Sequence, residues 1–471
     1  MSQEIRAHYD QIDLLPQCLE DWVPRDHPAR FIREFVDALD LGALGFRRRE
    51  SEEGRPNYAA DLLLKVWLYG YLTRMRSTRE LERACREHLS LVWLTGRHAP
   101  DHNTLWRFWK ENGGALRQVF RQGVKVAAEH GLIGLICHAV EGTKIRAAAS
   151  RRGVEHRPEL EQALGQVEAS IREMERAVEA GEAEEEGEYR LPPERPAAHQ
   201  LRQAIQASRG RMREVPRAHL HPQEREARVM PGEGRKELAY NAQVVVDEAS
   251  GLMVAEDVTN EENDHHQLVP MLDEVQENLG HVAAETVADG GYQSVVGLAE
   301  AEAKAYPVLV HLGQEAGAKR GGLYHSSCFS YEASPEVVLC PRGERWKFER
   351  VKRKQRWPYA GRAYRGGRLR ECPGRAACTE DRRGRQIEIS PYHQALARQR
   401  AKQQDPPKQK LRRQRKTSVK PVFGVIKQAR GFRRWTVRGL ANVRTQWALI
   451  CTAFNLRKMY KAWEAGQLAW A

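Results

Sequence analysis

Glu285-Thr-Val-Ala-Asp289-Gly-Gly-Tyr292 is the stretch on which the fold turns. It reads as a strand that ends on an acid, with paired glycines opening the loop beyond it. Ligands of open α/β sheets bind outside strand ends, so Asp289 is a candidate for chemistry as well as for structure. Toward the N-terminus, a helix is predicted over His265 to Leu279 with Asp264 as its cap. Before it, Tyr240-Asn-Ala-Gln-Val-Val-Val-Asp247 and Leu252-Met-Val-Ala-Glu-Asp-Val258 are two strands joined by the turn Glu248-Ala-Ser-Gly251, hence a β-hairpin. Further back, Gly131-Leu-Ile-Gly-Leu-Ile-Cys-His-Ala-Val-Glu141 is a compact apolar run that also ends on an acid, as a buried strand would.

Strand, hairpin, helix and strand, with acids closing the first and last strands, fit the start of an RNase-H-like mixed α/β sheet flanked by helices, over residues 131–314. Into it is inserted a helical hairpin at about 155–215. Leu160, Leu164, Val167, Ile171, Met174 and Val178 recur at heptad spacing, and after the acidic break Ala180 to Pro196 come Leu201, Ile205 and Met212. Its expected role is structural or oligomeric.

Residues 1–130 are helical throughout. Ala29 to Leu39 and Ala59 to Leu72 keep helical periodicity, the second after the turn Gly54-Arg55-Pro56-Asn57. Two shorter helices follow. Ser77-Thr78-Arg79-Glu80 has the form of a capping box, and Pro100-Asp101-His102-Asn103 offers a cap for the next helix. Asn103, Thr104, Arg107 and Lys110 on its outer face give the layout of a helix-turn-helix reader of DNA; a plain helical bundle has the same periodicity. At the other end, residues 315–405 read as an irregular Cys- and Arg-rich insert, and 406–471 as basic helices that complete the core.

The chain has 471 residues, and 76 Lys and Arg against 63 Asp and Glu give a formal charge of +13. Such an excess favours a polyanion, either nucleic acid or an anionic membrane surface. The polar start MSQEIRAHYDQ lacks a secretory core and the longest apolar runs, such as Trp447 to Phe454, are too short to span a bilayer, so a cytoplasmic protein with no membrane partner is expected. Of the eight cysteines, Cys18, Cys85, Cys137 and Cys451 sit in apolar segments and read as reduced core thiols.

Attack on phosphorus by water or a 3′ hydroxyl is promoted by two divalent ions held by carboxylates from separate elements, and hard oxygen ligands with retained waters suit Mg²⁺. Glu141 and Asp289 are the candidates; either alone is equally a solvated strand-end acid. Here several segments, in order, resemble one group of bacterial insertion-sequence transposases of the DDE type. They are Val140-Glu141-Gly142-Thr143-Lys144, Ala239-Tyr240-Asn241-Ala242-Gln243, Asp257-Val258-Thr259-Asn260 with Asn263-Asp264, and Ala288-Asp289-Gly290-Gly291-Tyr292. Pro421-Val422-Phe423-Gly424-Val425-Ile426-Lys427 and Ala429-Arg430-Gly431-Phe432-Arg433-Arg434 resemble that group's C-terminal signature. Gly54-Arg55-Pro56, Arg79 to Cys85 and Pro100 to Thr104 resemble its helical leader, so the likeness spans nearly the whole chain. It implies an oligomeric enzyme that cuts and joins double-stranded DNA at the element's terminal inverted repeats and at a target, using a two-ion Mg²⁺ site.

The departures bear on activity. The group's first motif reads Asp-Gly-Thr-Lys, so Glu141 stands at the first catalytic aspartate, one methylene longer; its third acid precedes Pro-Val-Phe-Gly, and that position is Lys420. From Pro406 to Trp463 there is no Asp or Glu at all. A companion signature falls on Arg413, Lys416, Lys420 and Lys427, of which only the last is unchanged. An inactive DNA-binding relative or repressor is therefore the competing expectation, and RNA binding by the basic face a third. Phosphate affinity survives: Lys408 to Arg415 with Lys416, Lys420, Lys427, Arg430, Arg433 and Arg434 form a basic surface, with Phe432 and Trp435 interleaved for stacking. Cys328, Cys340, Cys372 and Cys378 have loose spacing for structural Zn²⁺ and are either a zinc knuckle or free thiols. His138, His265 and His266 lie near the candidate strands, where a metal role competes with polar surface or supporting positions.

Overall fold

Residues 18–47, 56–182, 194–213, 219–232, 234–312, 323–324, 326–353, 359–366 and 372–468 are described by a computed structural model. The motif Gly54-Arg55 lies outside them, as do the break after Glu182 and most of the Arg/Gly-rich loop before Cys372.

The N-terminal helices are α1 (Pro28–Asp37), α2 (Ala60–Thr73), α3 (Thr78–Glu87), α4 (Leu89–Leu94), α5 (His102–Glu111) and α6 (Gly113–Glu129). Pro28 opens α1, where a missing N–H costs nothing, and His27 Nδ1 accepts from Ala29 N at 3.1 Å. Asp101 caps α5 as its sequence position predicts, Oδ1 accepting from Thr104 N at 2.7 Å. The expected capping box does not form: Ser77 makes no side-chain cap bond to α3. Glu82 ties α3 to α5 instead, accepting from His102 N at 3.1 Å and contacting its Nδ1 at 2.7 Å. α4 is an addition to the predicted pair, a single buried turn carrying Leu91, Trp93 and Leu94.

The core runs β1 (Cys137–Arg146), α7 (Arg157–Glu182), α8 (Glu194–Arg213), β2 (Arg228–Pro231), β3 (Lys236–Asp247), β4 (Met253–Thr259), α9 (Leu268–Leu279), β5 (Glu285–Ala288), α10 (Val295–Ala303) and β6 (Val308–Val310). α7 and α8 pack on each other as a hairpin, with Leu164, Ile171 and Ile205 buried between them. A two-residue bridge, Glu155–His156 with His219–Leu220, closes its base.

In the sheet, β3 is the long strand. One edge pairs antiparallel with β1 over His138 to Arg146, and the other edge pairs antiparallel with β2 and then β4. β5 lies parallel to β1, and β6 parallel to β5, giving the order β2-β3-β1-β5-β6 with β4 also paired to β3. The turn between β3 and β4 uses Gly251 at φ +65°, while Asp247 Oδ2 accepts from Ser250 N at 2.9 Å and Ser250 Oγ at 2.7 Å. Because β3 supplies partners as far as Arg146, β1 does not stop at Glu141, which is a mid-strand residue and not a strand-end acid.

After β6 the expected irregular insert is instead a five-stranded antiparallel sheet of β7 (Ser330–Ala333), β8 (Glu336–Leu339), β9 (Arg345–Arg353), β10 (Ala360–Arg365) and β11 (Gln386–Ile389), paired in chain order. Phe329, Val338, Trp346, Tyr364 and Ile387 give it a small core of its own. Then come α11 (His393–Gln404), α12 (Pro406–Ser418), α13 (Lys420–Gly424), a π turn over Val425–Ala429 and α14 (Leu440–Glu464). α14 packs on α1, α2, α6 and β4. Its Asn455 seats it on β4, Oδ1 accepting from Met253 N at 2.9 Å and Nδ2 donating to Met253 O at 2.7 Å. One hydrophobic core therefore includes Phe31 and Trp67 of the N-terminal helices, Val245 of the sheet and Trp447 of α14. Among the described residues no helix is long and apolar enough to cross a membrane.

Candidate catalytic centre and nucleic-acid interface

The parallel register of β1 and β5 sets Cys137 beside Glu285 and Ala139 beside Val287. Two residues further along that register, Glu141 comes level with Asp289. Asp289 follows the last residue of β5 and caps a turn, Oδ1 accepting from Gly291 N at 2.8 Å. Both acids are half-buried.

A third carboxylate joins them. Asp264, expected as a helix cap, does not cap α9, whose first turn has Gln267 at its cap position with no side-chain bond. Its Oδ1 accepts from Asn241 Nδ2 at 2.6 Å and Gln243 Nε2 at 2.7 Å, and Lys144 Nζ donates to the two oxygens at 3.3 and 3.5 Å. Gln243 is held in turn by Tyr292, whose hydroxyl donates to Oε1. Lys144, Asn241, Gln243, Asp264 and Tyr292 thus meet at one point. Two glycines make room. A Cβ on Gly142 would lie 2.5 Å from Gln243 Nε2 and 2.9 Å from Asp264 Oδ1. One on Gly291 would lie 2.9 Å from Asp289 Oδ1 and 3.3 Å from Asp264 Oδ2.

α12 lies across β5 and β1, its Leu411 packed on Cys137, Val287 and Leu309 and its Lys408 Nζ 2.6 Å from Glu285 Oε2. Lys420 opens α13 directly after it and is exposed. Beyond it Lys427 donates to Lys144 O at 3.2 Å.

The ligand set does not fit a two-ion site. Glu141 and Asp289 offer two carboxylates, but Asp264 is engaged by an ammonium. Among the described residues no three His, Cys, Asp or Glu side chains gather as metal ligands.

The DNA-contact candidates divide. Asn103, Arg107 and Lys110 are exposed on α5, together with Trp106, and Thr104 is half-buried. Arg413, Arg433 and Arg434 are exposed; Lys416 lies in α12. Arg430 and Trp435 are not surface residues. Trp435 is 1% exposed, packed edge-on to Tyr240, Phe432 and Trp447, and Phe432 is equally buried, so neither ring is open for stacking on a base. Arg430 is 4% exposed and spends its guanidinium on the carbonyls of Tyr71 and Leu72.

His138 is fully buried 3.9 Å from Asp247; burial, only partly countered by that carboxylate, brings its pKa down to about 4, so it is a neutral core residue. His265 and His266 are exposed. Cys85 and Cys137 are buried, and burial lifts their thiols to about 11 and about 12, whereas Cys18 is exposed, not a core thiol. Cys328, Cys340 and Cys378 pack at the margin of the small β7–β11 core, and Cys378 is pushed up by burial and by the neighbouring Cys340 and Cys372. All are free thiols here.

Two family models match the chain: "Transposase DDE domain" over residues 339–460 and "Transposase domain (DUF772)" over 17–111. No curated protein and no solved structure matches. Both are models of transposase domains, and together they are consistent with an insertion-sequence DDE transposase. The DDE match contains Lys420 but not Glu141, Asp264 or Asp289.

Proposed function

We propose that this chain binds the DNA ends of an insertion sequence on an RNase-H-like core, and that its own metal-dependent strand cleavage has been lost. Lys420 at the third acid position, in a stretch without any Asp or Glu from Pro406 to Trp463, carries this reading. An ammonium there repels the cations that such chemistry recruits, and Asp264, the third carboxylate beside Glu141 and Asp289, is engaged by Lys144. The strand order, three antiparallel strands followed by two parallel to the first, supports the RNase-H-like core. Asn103, Arg107 and Lys110 on the outer face of α5 support DNA reading by the N-terminal helices.

The test is incubation of the purified chain with end-containing duplex and Mg²⁺ or Mn²⁺. No nicking or joining is expected from the native protein, and cleavage is expected from Glu141→Asp combined with Lys420→Glu. Cleavage by the native chain that disappears in Asp289→Ala overturns the proposal. That second reading, an active enzyme, is favoured by the register that sets Glu141 level with Asp289.

A further inference from the structure

We propose that a groove beside the candidate centre holds the phosphodiester backbone of one DNA strand; this rests on the DNA-binding reading above and gives the bound strand its track. Two adjoining cavities form the groove. The larger, about 500 Å³, is lined by Arg146, Arg151, Arg152, Arg235 and Arg434 with Glu237 as its sole acid among the described residues. The smaller, about 260 Å³, shares Arg146, Arg235 and Glu237 and extends to Lys144, Lys427 and Arg433.

Four separate segments build it. Arg146 ends β1, Arg151 and Arg152 lie in the turn that follows, Arg235 is on the hairpin between β2 and β3, and Arg434 comes from the C-terminal segment. The last is fixed to the first: Arg146 and Arg434 form a parallel bridge, and Trp435 N donates to Arg146 O at 2.9 Å. Arg434 also donates to Ala147 O at 3.1 Å and to Ala148 O, so the loop is already shaped. Glu237 is engaged by Arg235 at 2.5 Å, and Arg151 donates to Lys236 O at 2.9 Å, which fixes two of the guanidinium groups in place. Arg146, Arg151, Arg152, Arg235 and Arg434 are all exposed.

A concentration of guanidinium groups matches a run of phosphates, which bind Arg bidentately. Cavities of this size suit a single backbone and not the width of a duplex or a flat bilayer. Continuity through Lys144, whose ammonium is 3.3 Å from Asp264, leads that strand to the candidate centre.

The experiment is fluorescence anisotropy of the full chain with labelled duplex and single-stranded DNA, without divalent metal, across a salt series. Arg146→Ala and the double variant Arg151→Ala/Arg152→Ala are compared with Arg172→Ala on α7, an exposed arginine outside the groove. The groove variants are expected to weaken binding to all sequences alike. Their slope of log affinity against log salt should fall by about 0.7 per lost single-strand phosphate contact. Arg172→Ala should change neither, and circular dichroism should show all variants folded. Unchanged affinity and slope in the groove variants overturn the groove while leaving DNA binding intact. Absence of DNA binding by the native chain, or preference for RNA over DNA, overturns the underlying reading as well.

Discussion

Replacing Arg430 separates a clamp inside the protein from a contact with DNA. Its guanidinium donates to Tyr71 O and, at 3.2 Å, to Leu72 O near the C-terminal end of α2, while its own carbonyl accepts from Arg76 Nη2 at 2.7 Å. Burial, then the charges of Arg76, Arg457 and Arg74, lower its pKa to about 10, so it remains a cation at neutral pH. A hydrogen bond from a charged donor contributes about 1.5–3 kcal/mol, and each buried carbonyl left alone costs a similar amount. Removing the buried charge and its repulsion by the neighbouring arginines returns part of this. Arg430→Ala should therefore destabilise the fold by about 3 kcal/mol. With a urea dependence of about 3 kcal/mol per molar, the unfolding midpoint followed by tryptophan fluorescence should drop by about 1 M. DNA affinity of the folded fraction should be unchanged. An unaltered midpoint with weakened DNA binding would refute the clamp and put Arg430 on the interface.

Two further outcomes follow from buried groups. Burial and the nearby Asp257 push Glu274 up to about 8, and burial with Glu274 pushes Glu256 well above its ordinary value. Carboxyls whose folded pKa is raised favour the native state below the ordinary 4.5 and lose that contribution as pH rises through about 8. Native stability should decline by about 2 kcal/mol between pH 6 and 9, and Glu274→Gln should flatten the decline in urea titrations at each pH; parallel curves would exclude the pair as its source. Separately, Gly142→Ala would place a Cβ 2.5 Å from Gln243 Nε2. It should cost about 1–3 kcal/mol and displace Asp264 in a crystal structure, whereas Gly114→Ala, with open space around it, should be neutral or slightly stabilising. Equal stability of the two variants would contradict the crowding argument.

The central sheet is legible because its hairpin strands are long apolar runs bounded by turn residues, so local pattern and long-range pairing agree. β9 reads Arg-Trp-Lys-Phe-Glu-Arg-Val-Lys-Arg, an alternation of charged and apolar residues that the register shift between Phe348 and Arg350 interrupts, so its period-two signal is short and easily passed over among the basic residues. Glu141 looked terminal because Gly142, Thr143 and Lys144 end the apolar run, yet nine pairs with β3 carry the strand onward. Asp264 sits where a cap belongs, but its partners are 21, 23 and 120 residues away, distances at which the sequence shows no pairing. Trp435 and Arg430 misled in the opposite direction, since basic neighbours give a buried aromatic and a buried cation the look of an interface.

α14, Leu440–Glu464, is synthesised long after the elements it covers, β4 and the inner faces of α2 and α6. During translation the nascent chain must therefore hold those apolar surfaces uncovered until α14 has emerged, a period in which chaperones and proteases compete for it. A premature stop anywhere before Leu440 would release a chain with an unsealed core. Such shortened products should be cleared from the cell, whereas a chain that keeps α14 can persist with side chains changed elsewhere.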